Sequence, residues 1–124
     1  MNAVRHFERE AISLLGESTR YSKTLNLLAD SAIVAEYEYT GAGYFLTIRA
    51  PDLPLIREVL TEPCVVGEWA GIVCGFIAFL ENQSLTLECY TWTDAGIPKD
   101  FRDQAVVVRK AGATEIAYPS NHDS

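Results

Sequence analysis

The chain has 124 residues, 48% of them hydrophobic, which predicts a single folded domain able to bury a core without disulfides or metal. Seventeen acidic against ten basic residues leave a formal charge of −7, which argues against nucleic acid or an anionic membrane as a direct partner; a basic protein is the better candidate, while solubility alone is the simpler reading of an acidic surface. Cys64, Cys74 and Cys89 are an odd number, and Met1 to Glu10 is charged where a signal peptide needs an apolar run, so a reducing cytoplasm is expected, with all three thiols as small buried hydrophobes.

In chain order, Val4, Phe7, Ala11, Leu14 and Leu15 recur at helical spacing, with Arg5, Glu8, Arg9 and Glu10 on the polar side and Gly16 closing the segment. His6 belongs to that polar side, as a solvated residue. A weaker helical pattern with Tyr21, Leu25 and Leu28 runs from Thr19 to Asp30, either separate or continuous with the first through a kink. From Ile33 the period changes to two. Val34 to Tyr39 and Tyr44 to Arg49 flank the turn Thr40-Gly41-Ala42-Gly43, predicting a hairpin in which Tyr39 faces Tyr44. That register puts Ala35, Tyr37, Tyr39, Tyr44, Leu46 and Ile48 on one face and Glu36, Glu38, Phe45, Thr47 and Arg49 on the other.

Asp52-Leu53-Pro54 breaks the strand. Leu55 to Leu60 can be a strand or a capped helical turn, and Ile56, Val59 and Val65-Val66 favour a strand, punctuated by Pro63 and Gly67. The apolar run Ile72 to Leu80, the turn Glu81 to Ser84 and the alternating Leu85 to Trp92 predict the central hairpin. A loop symmetric about Asn82 and Gln83 pairs Leu80 with Leu85, Phe76 with Cys89 and Gly75 with Tyr90. Cys74, Phe76, Ala78, Leu80, Leu85, Leu87 and Cys89 then form the core face. Val73, Gly75, Ile77, Phe79, Thr86, Glu88, Tyr90 and Trp92 form a mixed face on which the Tyr90 ring can lie across the gap left by Gly75. On this register Cys74 and Cys89 are diagonal neighbours, roughly 7–8 Å apart and too far for an unstrained disulfide. Thr93 to Asp103 reads as a long polar loop anchored by Ile97 and Phe101, Ala105 to Val108 as a last strand, and 111–124 as a weakly ordered tail after a single domain over 1–110. The fold class that follows is α+β: an N-terminal helical segment on an antiparallel sheet of about five or six strands.

Catalytic patterns are absent from the sequence. It contains no glycine-rich phosphate loop, His-Glu-x-x-His, Cys-x-x-Cys or Gly-x-Ser-x-Gly, and its histidines, His6 and His122, stand in terminal segments. Glu36 with Glu38, or Glu88 with Asp94, could form a carboxylate pair, but a solvated acidic strand face explains them more simply, and the acids of the 94–103 loop lack calcium-loop spacing. No enzyme activity, metal or other cofactor is expected.

Gly43-Tyr44-Phe45-Leu46-Thr47, Glu62-Pro63, Val66-Gly67, Cys74-Gly75-Phe76, Phe79-Leu80-Glu81-Asn82, Leu85-Thr86-Leu87-Glu88-Cys89, Trp92, Ile97-Pro98 and Phe101-Arg102 give residues 36–108 a look that resembles the immunity proteins of bacterial polymorphic toxin and contact-dependent growth inhibition systems. The resemblance implies a small protein that binds and blocks the toxin domain of its own system inside the producing cell, and it implies no particular binding residue. Nuclease toxins must be basic to hold phosphates, so a basic nuclease domain is the expected partner. On the residues themselves, Glu36, Glu38, Glu88, Tyr90, Trp92, Asp94 and Asp100 are the expected partner-binding set, with aromatic anchors carrying affinity and acids steering encounter. A ligand-binding or enzymatic domain using the same face, or a homodimeric module burying it, are the alternatives.

Overall fold

The computed structural model describes residues 3–112 and is an α+β fold, with two helices packed on one face of a six-stranded antiparallel sheet. Helices α1 (His6–Gly16) and α2 (Ser22–Ser31) precede strands β1 (Glu36–Tyr39), β2 (Gly43–Arg49), β3 (Glu58–Trp69), β4 (Ile72–Glu81), β5 (Ser84–Thr91) and β6 (Val107–Lys110). The spatial order is β1-β2-β5-β4-β3-β6, so the two strands of the central hairpin hold the middle of the sheet.

Two turns set the register. Asn82 and Gln83 both have positive φ, the signature of a two-residue hairpin loop whose twist matches that of its strands, and the expected pairs Leu80 with Leu85, Phe76 with Cys89 and Gly75 with Tyr90 are all present. Ala70 and Gly71 make a second such turn, with φ of 51° and 82°, and join β3 to β4. Tyr39 pairs with Tyr44 in the β1–β2 hairpin as its alternation predicts.

Cys74, Phe76, Ala78, Leu80, Leu85, Leu87 and Cys89 are all buried, together with Tyr44, Leu46 and Ile48 of β2. The helices complete this core through Phe7, Ala11, Ile12, Leu15 and Leu25. Phe7 meets Phe76 at 6.1 Å between ring centroids and Phe101 edge-on at 6.0 Å, and Trp69 closes on Phe101 at 6.4 Å. Ile97 and Phe101 are the buried anchors expected of the 93–103 loop, whose end winds into a single 3-10 turn over Phe101–Asp103. Among the described residues no helix is long and apolar enough to cross a membrane.

Several expectations need correction. Of the two arrangements open for the helical segment, the separate one is present, and the second helix begins at Ser22 instead of Thr19. Leu55 and Ile56 are exposed in the connection before β3, because the strand starts only at Glu58. Pro63 and Gly67 lie inside β3: the register shifts between Leu60 and Val65, an irregularity that accommodates the residue without an N–H, and Glu62-Pro63 is a cis bond. Cys64, next to that irregularity, is half-buried where full burial was expected. The last strand begins at Val107 instead of Ala105. Of the expected tail, Ala111 and Gly112 follow β6, and 113–124 lie outside the described residues.

The largest departure is Glu8, assigned by residue type to the polar side of α1 but fully buried. It lies one helical turn from Val4 and from Ile12, within the apolar stripe. Its Oε1 accepts from the Arg5 amide at 2.8 Å and from Arg102 Nη2 at 2.9 Å, and its Oε2 accepts from Arg102 Nε at 2.6 Å and from the Tyr44 hydroxyl at 2.5 Å. Burial and the neighbouring Glu8 charge push the Tyr44 hydroxyl well above its ordinary pKa. For Arg102, burial acts to lower the pKa, and the hydrogen bonds and charge of Glu8 outweigh it.

Candidate protein-binding face

The strand alternation that sends the core residues to the helices sends the other set to a face on which, among the described residues, no helix packs. Across β1, β2, β5 and β4 the register builds one row of Glu38, Phe45, Glu88 and Ile77 and a second of Glu36, Thr47, Thr86 and Phe79. Phe45, Ile77, Phe79, Thr86 and Glu88 are half-buried by their neighbours. The amide of Thr91 donates to Ala42 at 2.7 Å, so by the alternation of an antiparallel ladder Phe45 and Glu88 form a non-hydrogen-bonded pair, the kind that brings side chains closest.

Glu88 stands in this apolar setting, and burial pushes its carboxyl above the usual range. No lysine or arginine pairs with it. All ten such residues lie within the described chain, and the arginines are engaged elsewhere: Arg49 with Glu36, Arg57 with Glu81, Arg20 with Glu58, Arg102 with Glu8, Arg5 with Asp103 and Arg109 with Glu68, while Arg9 donates to the Val4 carbonyl.

Beside this row Tyr90 lies across Gly75. A Cβ on Gly75 would fall 2.5 Å from Tyr90 Cζ and 2.7 Å from Trp92 Nε1, so both rings rest on backbone that only glycine leaves open. Burial raises the Tyr90 pKa, and a hydrogen bond from the Trp92 indole opposes that rise. Val66, the cross-strand neighbour of Gly75, is fully buried on this side.

The seven expected binding residues are therefore gathered only in part. Glu36, Glu38, Glu88 and Tyr90 share the helix-free face, and Trp92 adjoins it at the end of β5. Glu36 is paired with Arg49 at 3.1 Å. Asp94 is exposed on the loop. That loop leaves the face after Trp92 and passes the β1–β2 turn, where the Ile97 amide donates to Gly41 at 2.9 Å and the Tyr39 hydroxyl donates to the Ile97 carbonyl. It ends at Phe101 among Phe7 and Trp69 on the helix side. Asp100, held by Gln104 at 3.0 Å, belongs to that end and is not brought together with Glu88. Phe45 and Ile77 are the members of the face that a choice based on acids, Tyr and Trp leaves out, although their alternation already assigns them to it.

A groove of about 670 Å³ lies on the helix side, where Arg9, Asn26 and Arg109 stand among Glu10 and Asp30, so its charge is mixed. Among the described residues no three His, Cys, Asp or Glu side chains group as a metal site. Comparison with protein families, curated proteins and solved structures finds no match to this chain.

Proposed function

We propose that the protein acts by binding, presenting the helix-free face of its sheet to a basic protein domain. We further propose that this domain is a toxin, as the resemblance to immunity proteins implies, with a nuclease the class whose basic surface fits best. On this reading the chain neutralises the toxin in the cytoplasm of the producing cell by covering it and carries out no reaction of its own. The observation that supports the reading most is Glu88, a half-buried carboxylate without a cation of its own, set between Phe45 and Ile77 on a face that no helix covers among the described residues. Aromatic and aliphatic groups beside a partly desolvated carboxylate suit an interface centre, where truncation of an anchor typically costs about 2 kcal/mol or more. The formal charge of −7 adds steering toward a basic surface.

The test is co-expression with the product of the neighbouring gene, which this reading expects to carry a basic toxin domain, followed by calorimetry on the purified pair. Growth rescue and a tight complex are expected. Glu88→Lys should abolish both while the thermal unfolding temperature stays close to that of the parent chain. Absence of a complex with the parent chain, or full rescue by Glu88→Lys, sinks the reading.

A further inference from the structure

The chain's own arginines indicate what the Phe45 and Glu88 pair is suited to hold. Three times among the described residues an arginine lies over an aromatic ring while it bonds a carboxylate. Arg102 lies 5.3 Å from the Tyr37 ring centre and 5.9 Å from that of Tyr44 while bonding Glu8. Arg57 lies 5.0 Å from the Phe79 centre and 3.4 Å from Glu81, and Arg20 lies 5.1 Å from the Tyr21 centre and 3.5 Å from Glu58. The Arg57 set stands on the same sheet face as Glu88, since Phe79 and Glu81 alternate with the core residues of β4. Phe45 beside Glu88 repeats the ring and the carboxylate, with Glu38 paired to Phe45 from the other side, and no arginine of this chain completes it.

We infer that Phe45 and Glu88 form a seat for an arginine side chain donated by the protein partner. The guanidinium plane would stack on the Phe45 ring, and its N–H groups would donate to Glu88. An arginine suits this place better than a lysine, because a planar guanidinium can stack and bond a carboxylate together, whereas an ammonium is a strongly hydrated point charge. A second copy of this chain is a poor occupant, because its arginines are already engaged.

This inference rests on the binding reading above but is tested apart from it, on the full chain, with N-acetylarginine amide and N-acetyllysine amide as probes followed by backbone amide NMR. Shifts should cluster at Phe45, Glu88 and Ile77, and the arginine probe should bind more tightly than the lysine probe. Glu88→Gln should weaken the arginine probe about tenfold, on the scale of a lost charge-assisted hydrogen bond. Phe45→Leu should weaken it roughly threefold, as loss of an exposed cation–π contact does. Spectra of the free variants serve as the control for folding. Shifts scattered over exposed acids such as Glu62 and Asp94, equal response to the two probes, or concentration-dependent shifts of the same face without probe would overturn the seat. A toxin domain that binds this face while the arginine probe does not cluster there removes the seat and leaves the binding function. A clustering probe with no complex does the reverse.

Discussion

Glu8 and Glu88 are two carboxylates on opposite sides of one sheet, and they meet burial in opposite ways. Glu8, under the helices, is fully buried and takes four hydrogen bonds from Arg5, Arg102 and Tyr44. Glu88, on the helix-free face, is half-buried beside Phe45 and Ile77 and is paired with no lysine or arginine. A carboxylate removed from water must be compensated by donors or carry a desolvation cost. The covered side of the molecule provides its own compensation, and a partner bringing a cation would provide it on the open side. The first carboxylate ties α1 to the 93–103 loop, and the second, on the proposed binding face, has no cation of this chain beside it.

The contrast can be broken most forcefully at Arg102. Arg102→Met should destabilise the fold by about 3–5 kcal/mol, because it leaves the Glu8 charge buried without its cation, with only the Arg5 amide and the Tyr44 hydroxyl as donors. Adding Glu8→Gln should recover part of that loss, a coupling readable as a double-mutant cycle in urea unfolding. A single-variant loss below about 1 kcal/mol would mean that water reaches Glu8. On the open side, Gly75→Ala should cost about 1–3 kcal/mol, as overpacking does, since its new methyl must displace both Tyr90 and Trp92. Thermal unfolding would read the loss, and a change in tryptophan fluorescence would place it at these rings.

The smallest effect is expected in the pH dependence of stability. Burial raises the folded-state pKa of Glu88, so the folded chain holds that proton more firmly than the unfolded chain. By linkage, Glu88 contributes a loss of stability as pH rises from the ordinary glutamate range through its raised folded value, and the penalty persists at neutral pH. Glu88→Gln should therefore be slightly more stable than the parent at pH 7, within about 0.5 kcal/mol, with the advantage vanishing below the ordinary carboxylate range. Urea titrations at neutral and acidic pH would check this. A variant less stable than the parent at pH 7 would show that Glu88 has a stabilising partner within the chain.

The parts of this fold that depend on neighbours along the chain were legible in the amino-acid sequence. Alternation and two short turns specify the β1–β2 and β4–β5 registers, the core face from Cys74 to Cys89, and the resting place of Tyr90 on Gly75, because a period of two leaves no choice once the turn is placed. Ile97 and Phe101 were legible as anchors because an apolar residue isolated in a polar loop has little reason to stay in water. The full extent of β3 was not legible, because Pro63 reads as a breaker, and only pairing to β4 on both sides of the register shift carries the strand past it. Nor was the burial of Glu8 legible, since Arg102 stands 94 residues away and neither residue type announces a buried charge. Alternation likewise divided the sheet into two faces but could not tell which acids would be compensated. That depends on which face α1 and α2 cover and on where Arg102 and Arg49 end up, which long-range packing decides and no local period encodes.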